Sequence, residues 1–150
     1  MTLQIKNNQK IVKIDKRKIR LNLKTIMSYL DCSDKDISVS FVDDDEIRAL
    51  NKQYLSEDKP TNVLSFSMRE NDYGDINPNV LGDIVISAQT AKKDARKGGL
   101  TVAQEIDFLM IHGLLHLLGF NHEKTTKDKT KIMKQKEKEL FYLLYPKTYL

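Results

Sequence analysis

Apolar residues along this chain recur with two different periods, and the places where the period changes predict the elements. Leu3 and Ile5, then Ile11, Val12 and Ile14, predict short extended segments, with Asn7 and Asn8 as the turn between them. Ile19, Leu23, Ile26 and Leu30 step by i, i+4, i+7 and i+11, one face of a helix that shows its lysines to solvent. Ile37, Val39 and Phe41 alternate with serines, the period of a half-buried strand. The acidic run Asp43 to Glu46 suits a helix start, where carboxylates meet unpaired backbone N–H groups, and Ile47, Leu50 and Tyr54 then share a face. Asp58-Lys59-Pro60 breaks that helix, and Val63 to Phe66 reads as a buried strand.

Residues 69–80 carry a Gly, a Pro and several Asn and Asp, so a loop is expected before the strand Leu81 to Ile86. Ser87 can cap a helix with Ala88, Ala91 and Ala95 inside, and Gly98-Gly99 stops it. Thr101 to Gln104 has the spacing of a capping box, opening a helix that runs toward Gly119. Because that helix is apolar nearly all round, it should lie at the centre of the domain. A last helix, from about Asp128 to Leu144, places Ile132, Lys136, Leu140 and Leu143 on one side and ends at Pro146. Strands interleaved with helices, then helices alone, predict an α+β fold, one small mixed sheet packed with helices.

At 150 residues the chain is expected to be a single domain, 1–150; 40% hydrophobic and 31% charged residues exclude disorder and fibrous repeats. The lone Cys32 can form neither an internal disulfide nor a thiolate zinc cluster, which points to a reducing, cytoplasmic setting. The first ten residues lack the apolar stretch of a signal peptide. The longest apolar run, Phe108 to Phe120, is too short to cross a bilayer and contains two histidines.

The net charge of +4 conceals a division: residues 1–24 carry +7, residues 25–91 carry −8 and residues 92–150 carry +5. Two basic clusters could attract phosphate backbones, Lys16 to Lys24 near the start and Lys92, Lys93, Arg96 and Lys97 farther on. The lysines from Lys124 to Lys138 alternate with Glu123, Asp128, Glu137 and Glu139, so a self-paired, solvated helix face is expected there.

The sharpest chemical signal is that all three histidines fall within eleven residues, His112, His116 and His122. His112 and His116 are one helical turn apart and project from the same face. Gly119 can take the left-handed conformation that ends a helix, letting the chain return His122 to the same point. Three imidazoles holding one metal leave a tetrahedral position for water, the arrangement of a catalytic rather than a structural zinc site, and lower that water's pKa to about 7. Zinc is the first expectation, although other divalent transition metals accept three imidazoles. The spacing also fits the H-E-x-x-H-x-x-G-x-x-H pattern of metzincin peptidases, making this a zincin-like metal-binding helix, except that Gly113 stands where the peptidase has its general-base glutamate.

The full segment H-G-L-L-H-L-L-G-F-N-H from His112 to His122 resembles the signature of the YbeY family, bacterial metal-dependent endoribonucleases of rRNA maturation. Pro60-Thr61-Asn62-Val63-Leu64-Ser65-Phe66 resembles that family's P-T-D-V-L-S-F strand, and Leu81 to Ile86 its L-G-D-I strand. The resemblance implies a cytoplasmic, single-strand-specific endoribonuclease acting at 16S rRNA 3′ ends and in ribosome quality control. Its zinc would be carried by His112, His116 and His122, and its partners would be rRNA and the small ribosomal subunit. Leu55 stands where the family usually has an arginine, and Arg48, Lys52 and Lys59 are the basic residues that could bind phosphate in its place; Asn62 replaces an aspartate. Lys92, Lys93 and Arg96 are further candidates for RNA contact, and Asp83, near a strand end, is a candidate catalytic carboxylate or a partner that orients a histidine. Two other functions share the same residues: a metal-dependent hydrolase of peptides or small substrates, and a non-catalytic ribosome-associated RNA-binding module with a structural metal.

Overall fold

A computed structural model describes residues 2–68, 79–120 and 127–148. Its elements are β1 (Leu3–Asn7), α1 (Lys16–Tyr29), β2 (Asp36–Val42), α2 (Asp44–Leu55), β3 (Val63–Ser67), β4 (Val80–Ser87), α3 (Ala88–Gly98), α4 (Val102–Leu117) and α5 (Lys127–Leu144). The four strands form one mixed sheet in the order β1-β2-β4-β3. β1 and β4 both run parallel to β2, and β3 pairs antiparallel with β4. This is the α+β architecture with a small mixed sheet that the pattern predicts. Among the described residues no helix is long and apolar enough to cross a membrane.

Local chemistry accounts for most boundaries. Asp15, Asp43, Ser87 and Thr101 each accept a backbone N–H of the first turn that follows, and Gln104 returns the bond to the Thr101 backbone to complete a capping box. Alternation assigns the two sheet faces. Ile37, Val39 and Phe41 of β2 and Ile84 and Ile86 of β4 join α1, α4 and α5 in the main core. Val42, Leu64 and Val85 point the other way and are covered by Ile47 of α2. The central helix α4 is thus sandwiched between the sheet and α5, which is what its all-round apolar composition requires.

Three expectations change. No second strand forms at Ile11 to Ile14: the Gln9 side chain accepts from the N–H groups of Ile11 and Val12 and donates to the Val12 carbonyl, satisfying that backbone as a local turn. β3 is an edge strand, partly rather than fully buried. On α5 the inward face is Met133, Glu137, Leu140 and Phe141, whereas Ile132 and Leu143 are exposed. The face is rotated because a carboxylate, Glu137, occupies a buried position, so the apolar pattern misses it.

Candidate active site

α4 positions the site. Its first half is locked in place by Asp107, a buried carboxylate that accepts from Asn22 Nδ2 of α1 at 2.9 Å and from the Tyr145 hydroxyl beyond α5. Burial pushes the Asp107 pKa up, and the two hydrogen bonds pull against that. Its second half presses directly on the sheet. A Cβ at Gly113 would lie 2.9 Å from an Ile84 methyl and 3.1 Å from Ser65 Oγ. Ser65 also donates to the Gly113 carbonyl at 3.3 Å. Position 113 therefore faces the strands at their closest approach, with no room for the glutamate that a metzincin helix carries there. This removes the geometric basis of a metzincin-type peptidase mechanism at residue 113.

His112 and His116 come together on the side of α4 turned toward α5. Their Nε2 atoms are 3.1 Å apart and the ring centroids 4.6 Å apart, with the rings steeply inclined at 66°. Glu137 of α5 reaches His112 Nδ1 at 2.9 Å from a position with only 8% of its side chain exposed. With the carboxylate as acceptor Nδ1 is the donor, and Nε2 is the nitrogen that faces His116. Two nitrogens at this separation repel unless a proton or a cation lies between them. A pair of nitrogens each 2.0–2.1 Å from a tetrahedral zinc stands roughly 3.3 Å apart, so the pair fits two ligands of one ion. The carboxylate behind His112 has the place that orients metal-binding imidazoles.

Among the described residues no third His, Cys, Asp or Glu completes a metal cluster. His122 lies outside the described residues. The chain up to it does turn as its glycine predicts. Gly119 has φ +99°, its N–H bonds to His116 O at 3.0 Å, and Phe120 N–H bonds to Leu115 O at 2.9 Å, the paired bonds of a Schellman turn that reverses the chain.

The other candidates lie elsewhere. Asp83 is not near the histidines: Ile84 packs under Gly113, so its neighbour projects from the opposite face of β4, where it accepts from the Ser38 hydroxyl. α2 covers that same opposite face. There Arg48 Nε pairs with Asp58 at 2.8 Å, Lys52 approaches the same carboxylate at 4.0 Å, and Lys59 pairs with Glu57 at 3.6 Å. The hydrogen bond from Arg48 holds the Asp58 carboxyl below its usual range. Leu55, the last residue of α2, is exposed. Lys92, Lys93 and Arg96 are exposed on α3 with no ion pair among the described residues. In the N-terminal cluster, Arg20 donates to the Leu3 carbonyl and Lys18 sits over the Tyr145 ring, so two of its members serve the fold. Glu137 is the site residue that sequence reasoning missed. Its only signal was an acidic residue interrupting the apolar stripe of a helix.

Fold and site together define an α+β protein built around a central helix that presents an imidazole pair backed by a buried carboxylate. The family model "Endoribonuclease YbeY" matches residues 4–144. A protein of Syntrophus aciditrophicus named Endoribonuclease YbeY is 51% identical over 145 residues, spanning 97% of this chain and 91% of that protein. One of the same name from Aquifex aeolicus is 42% identical over 129 residues, covering 83% of this chain and 84% of its own. The solution structure of a Thermotoga maritima protein aligns with a TM-score of 0.64 at 28% identity, covering 97% of this chain and 92% of that one. The chain belongs to the YbeY endoribonuclease family.

Proposed function

We propose that this protein is a zinc-dependent endoribonuclease that hydrolyses phosphodiester bonds of single-stranded RNA, acting in 16S rRNA 3′-end maturation and ribosome quality control. The observation that carries the reading is the convergence of His112 and His116 Nε2 at 3.1 Å with Glu137 on the far side of His112, in a chain of this family. His112, His116 and His122 would hold one zinc ion, which when bound supplies Lewis-acid chemistry at neutral pH, acidifying water and polarising a phosphoryl oxygen.

The residues of the chain do the rest. Glu137 keeps the proton of His112 on Nδ1 and so keeps Nε2 available as a donor of electrons. The contact of Gly113 with Ile84 fixes the height of both histidines above the sheet. Lys92, Lys93 and Arg96 attract the RNA backbone from α3, whereas Arg48, Lys52 and Lys59 join in only by exchanging Asp58 or Glu57 for a phosphate. Asp83, on the other face of the sheet, takes no part in proton transfer. The natural substrate would be an rRNA end presented on the small ribosomal subunit, in the cytoplasm.

The test compares cleavage of single- and double-stranded RNA by wild-type protein, by chelated protein, by protein with zinc restored and by His116→Ala. Cleavage of the single strand that is lost on chelation, returns with zinc and is absent from the His116 variant is the expected result. Full cleavage by metal-stripped His116→Ala, free of contaminating nuclease, would overturn the reading. A non-catalytic module with a structural metal would instead show a lower melting temperature on chelation and no turnover in any sample.

A further inference from the structure

Two of the acids of α5, Glu137 and Glu139, are engaged away from four of its lysines. Glu137 turns inward to His112, and Glu139 is bound by the Tyr29 hydroxyl of α1 and by Lys136 at 2.9 Å. Lys127, Lys131, Lys134 and Lys138 remain exposed, and none of them has an ion pair among the described residues. Their spacing of i, i+4, i+7 and i+11 sets them in one line along the helix, roughly 16 Å long at 1.5 Å per residue.

The line also has a definite side. Counting about 100° per residue from Glu137, the four lysines fall roughly 60–120° round the helix in one direction, while Lys136, Glu139 and Leu143 fall in the other. The second flank is the one joined to α1 through Tyr29. Among the described residues the lysine flank is the exposed one, and it borders the buried turn from which Glu137 reaches the histidines. A cleft of about 330 Å³ lies against it, its described lining being Lys127, Thr130, Lys131 and Lys134. A chain of phosphates laid along this flank would meet a cation at nearly every helical turn and pass beside the imidazole pair. The cluster on α3, Lys92, Lys93, Arg96 and Lys97, also sits on a helix packed against α4 and is the competing track.

We infer that the lysine stripe of α5 is a track for the backbone of single-stranded RNA, leading the strand past His112 and His116. The inference rests on the RNA reading above and adds where the strand lies. Contacts of this kind carry no base preference, and each phosphate engaged on a single strand contributes about −0.7 to the slope of log K against log salt.

The experiment measures binding of a 2′-O-methyl oligoribonucleotide, which resists hydrolysis, to zinc-loaded protein across a salt series. Wild type is compared with Lys127, Lys131, Lys134 and Lys138 all changed to Gln, with the same four changed to Arg, and with the α3 cluster changed to Gln. The α5 Gln variant should bind on the order of tenfold or more weakly at low salt, with a slope shallower by about 3, while the Arg variant keeps both affinity and slope. Zinc content and melting temperature of the Gln variant should match wild type, separating a lost track from a damaged fold. Wild-type affinity and slope in the α5 Gln variant, with the whole loss in the α3 variant, would overturn the track and leave the RNA reading standing. No salt-dependent binding by wild type would overturn both.

Discussion

Two of the carboxylates buried among the described residues, Asp107 on α4 and Glu137 on α5, serve different ends. Asp107 on α4 is surrounded by donors whose own work ends with it: Asn22 from α1 and the Tyr145 hydroxyl from the segment after α5. It fastens three parts of the chain together. Glu137 on α5 is bonded to one nitrogen of an imidazole whose second nitrogen faces another imidazole. The two residues are alike in charge and in burial. What separates a fastener from a positioning residue is whether the group it binds has a further, unspent function.

Substitutions can break that contrast, and the largest expected effect is at the histidines themselves. His116→Ala should abolish tight zinc binding and reduce single-strand cleavage to background, measured by metal analysis and a gel assay, with the fold retained. Next comes Glu137→Gln, which should weaken zinc binding by about 10–100-fold in a chelator competition, since an amide holds the imidazole less firmly in one tautomer. Equal zinc affinity in that variant would reduce Glu137 to a second fastener.

Asp107→Ala should do the reverse. It leaves the Tyr145 hydroxyl and the Asn22 amide without their acceptor, at a cost of roughly 1–3 kcal/mol in denaturant unfolding, and leaves the zinc affinity of the folded protein unchanged. Gly113→Ala should cost a similar amount, about 1–3 kcal/mol, because the Ile84 methyl stands 2.9 Å from the new Cβ and the helix must lift. Unlike Asp107→Ala, it should also lower cleavage, because both histidines move with the helix.

The smallest effect is a pH dependence. Burial raises the folded-state pKa of Asp107 above its unfolded value. Its contribution to stability is therefore full below the unfolded pKa and is lost as pH rises through the higher folded value. Asp107→Asn removes the titrating group and should flatten that part of the stability profile, read from melting temperatures across the acidic range. An unchanged profile would assign the slope to other groups.

Where the determinants are local, the sequence is a good guide to this molecule. The caps at Ser87 and Thr101, the alternation in β2 and the glycine turn at Gly119 all depend on residues within a few positions of one another. The meeting of His112 and His116 was legible for the same reason, as one helical turn separates them. The face of α5 was not, because Glu137 earns its buried place from a histidine 25 residues away. Nor was the side of β4 on which Asp83 lies. That strand is largely apolar on both faces, and only the crossing of α4 over Ile84 decides which face holds the site. The pairing of Arg48 and Lys52 with Asp58 is likewise invisible until α2 and the loop after it are brought together. The resemblance carried by the histidine segment pointed to RNA before any of these contacts could be seen.

The central claim is that His112, His116 and His122 hold one zinc ion with Glu137 behind the first of them. Zinc stoichiometry together with X-ray absorption at the zinc edge tests it most directly, on wild type and on His122→Ala. One zinc per chain, with three imidazole nitrogens at about 2.0–2.1 Å that fall to two in the variant, is the predicted result. Substoichiometric zinc in protein competent to cleave RNA, or an imidazole count that His122→Ala leaves unchanged, would contradict it.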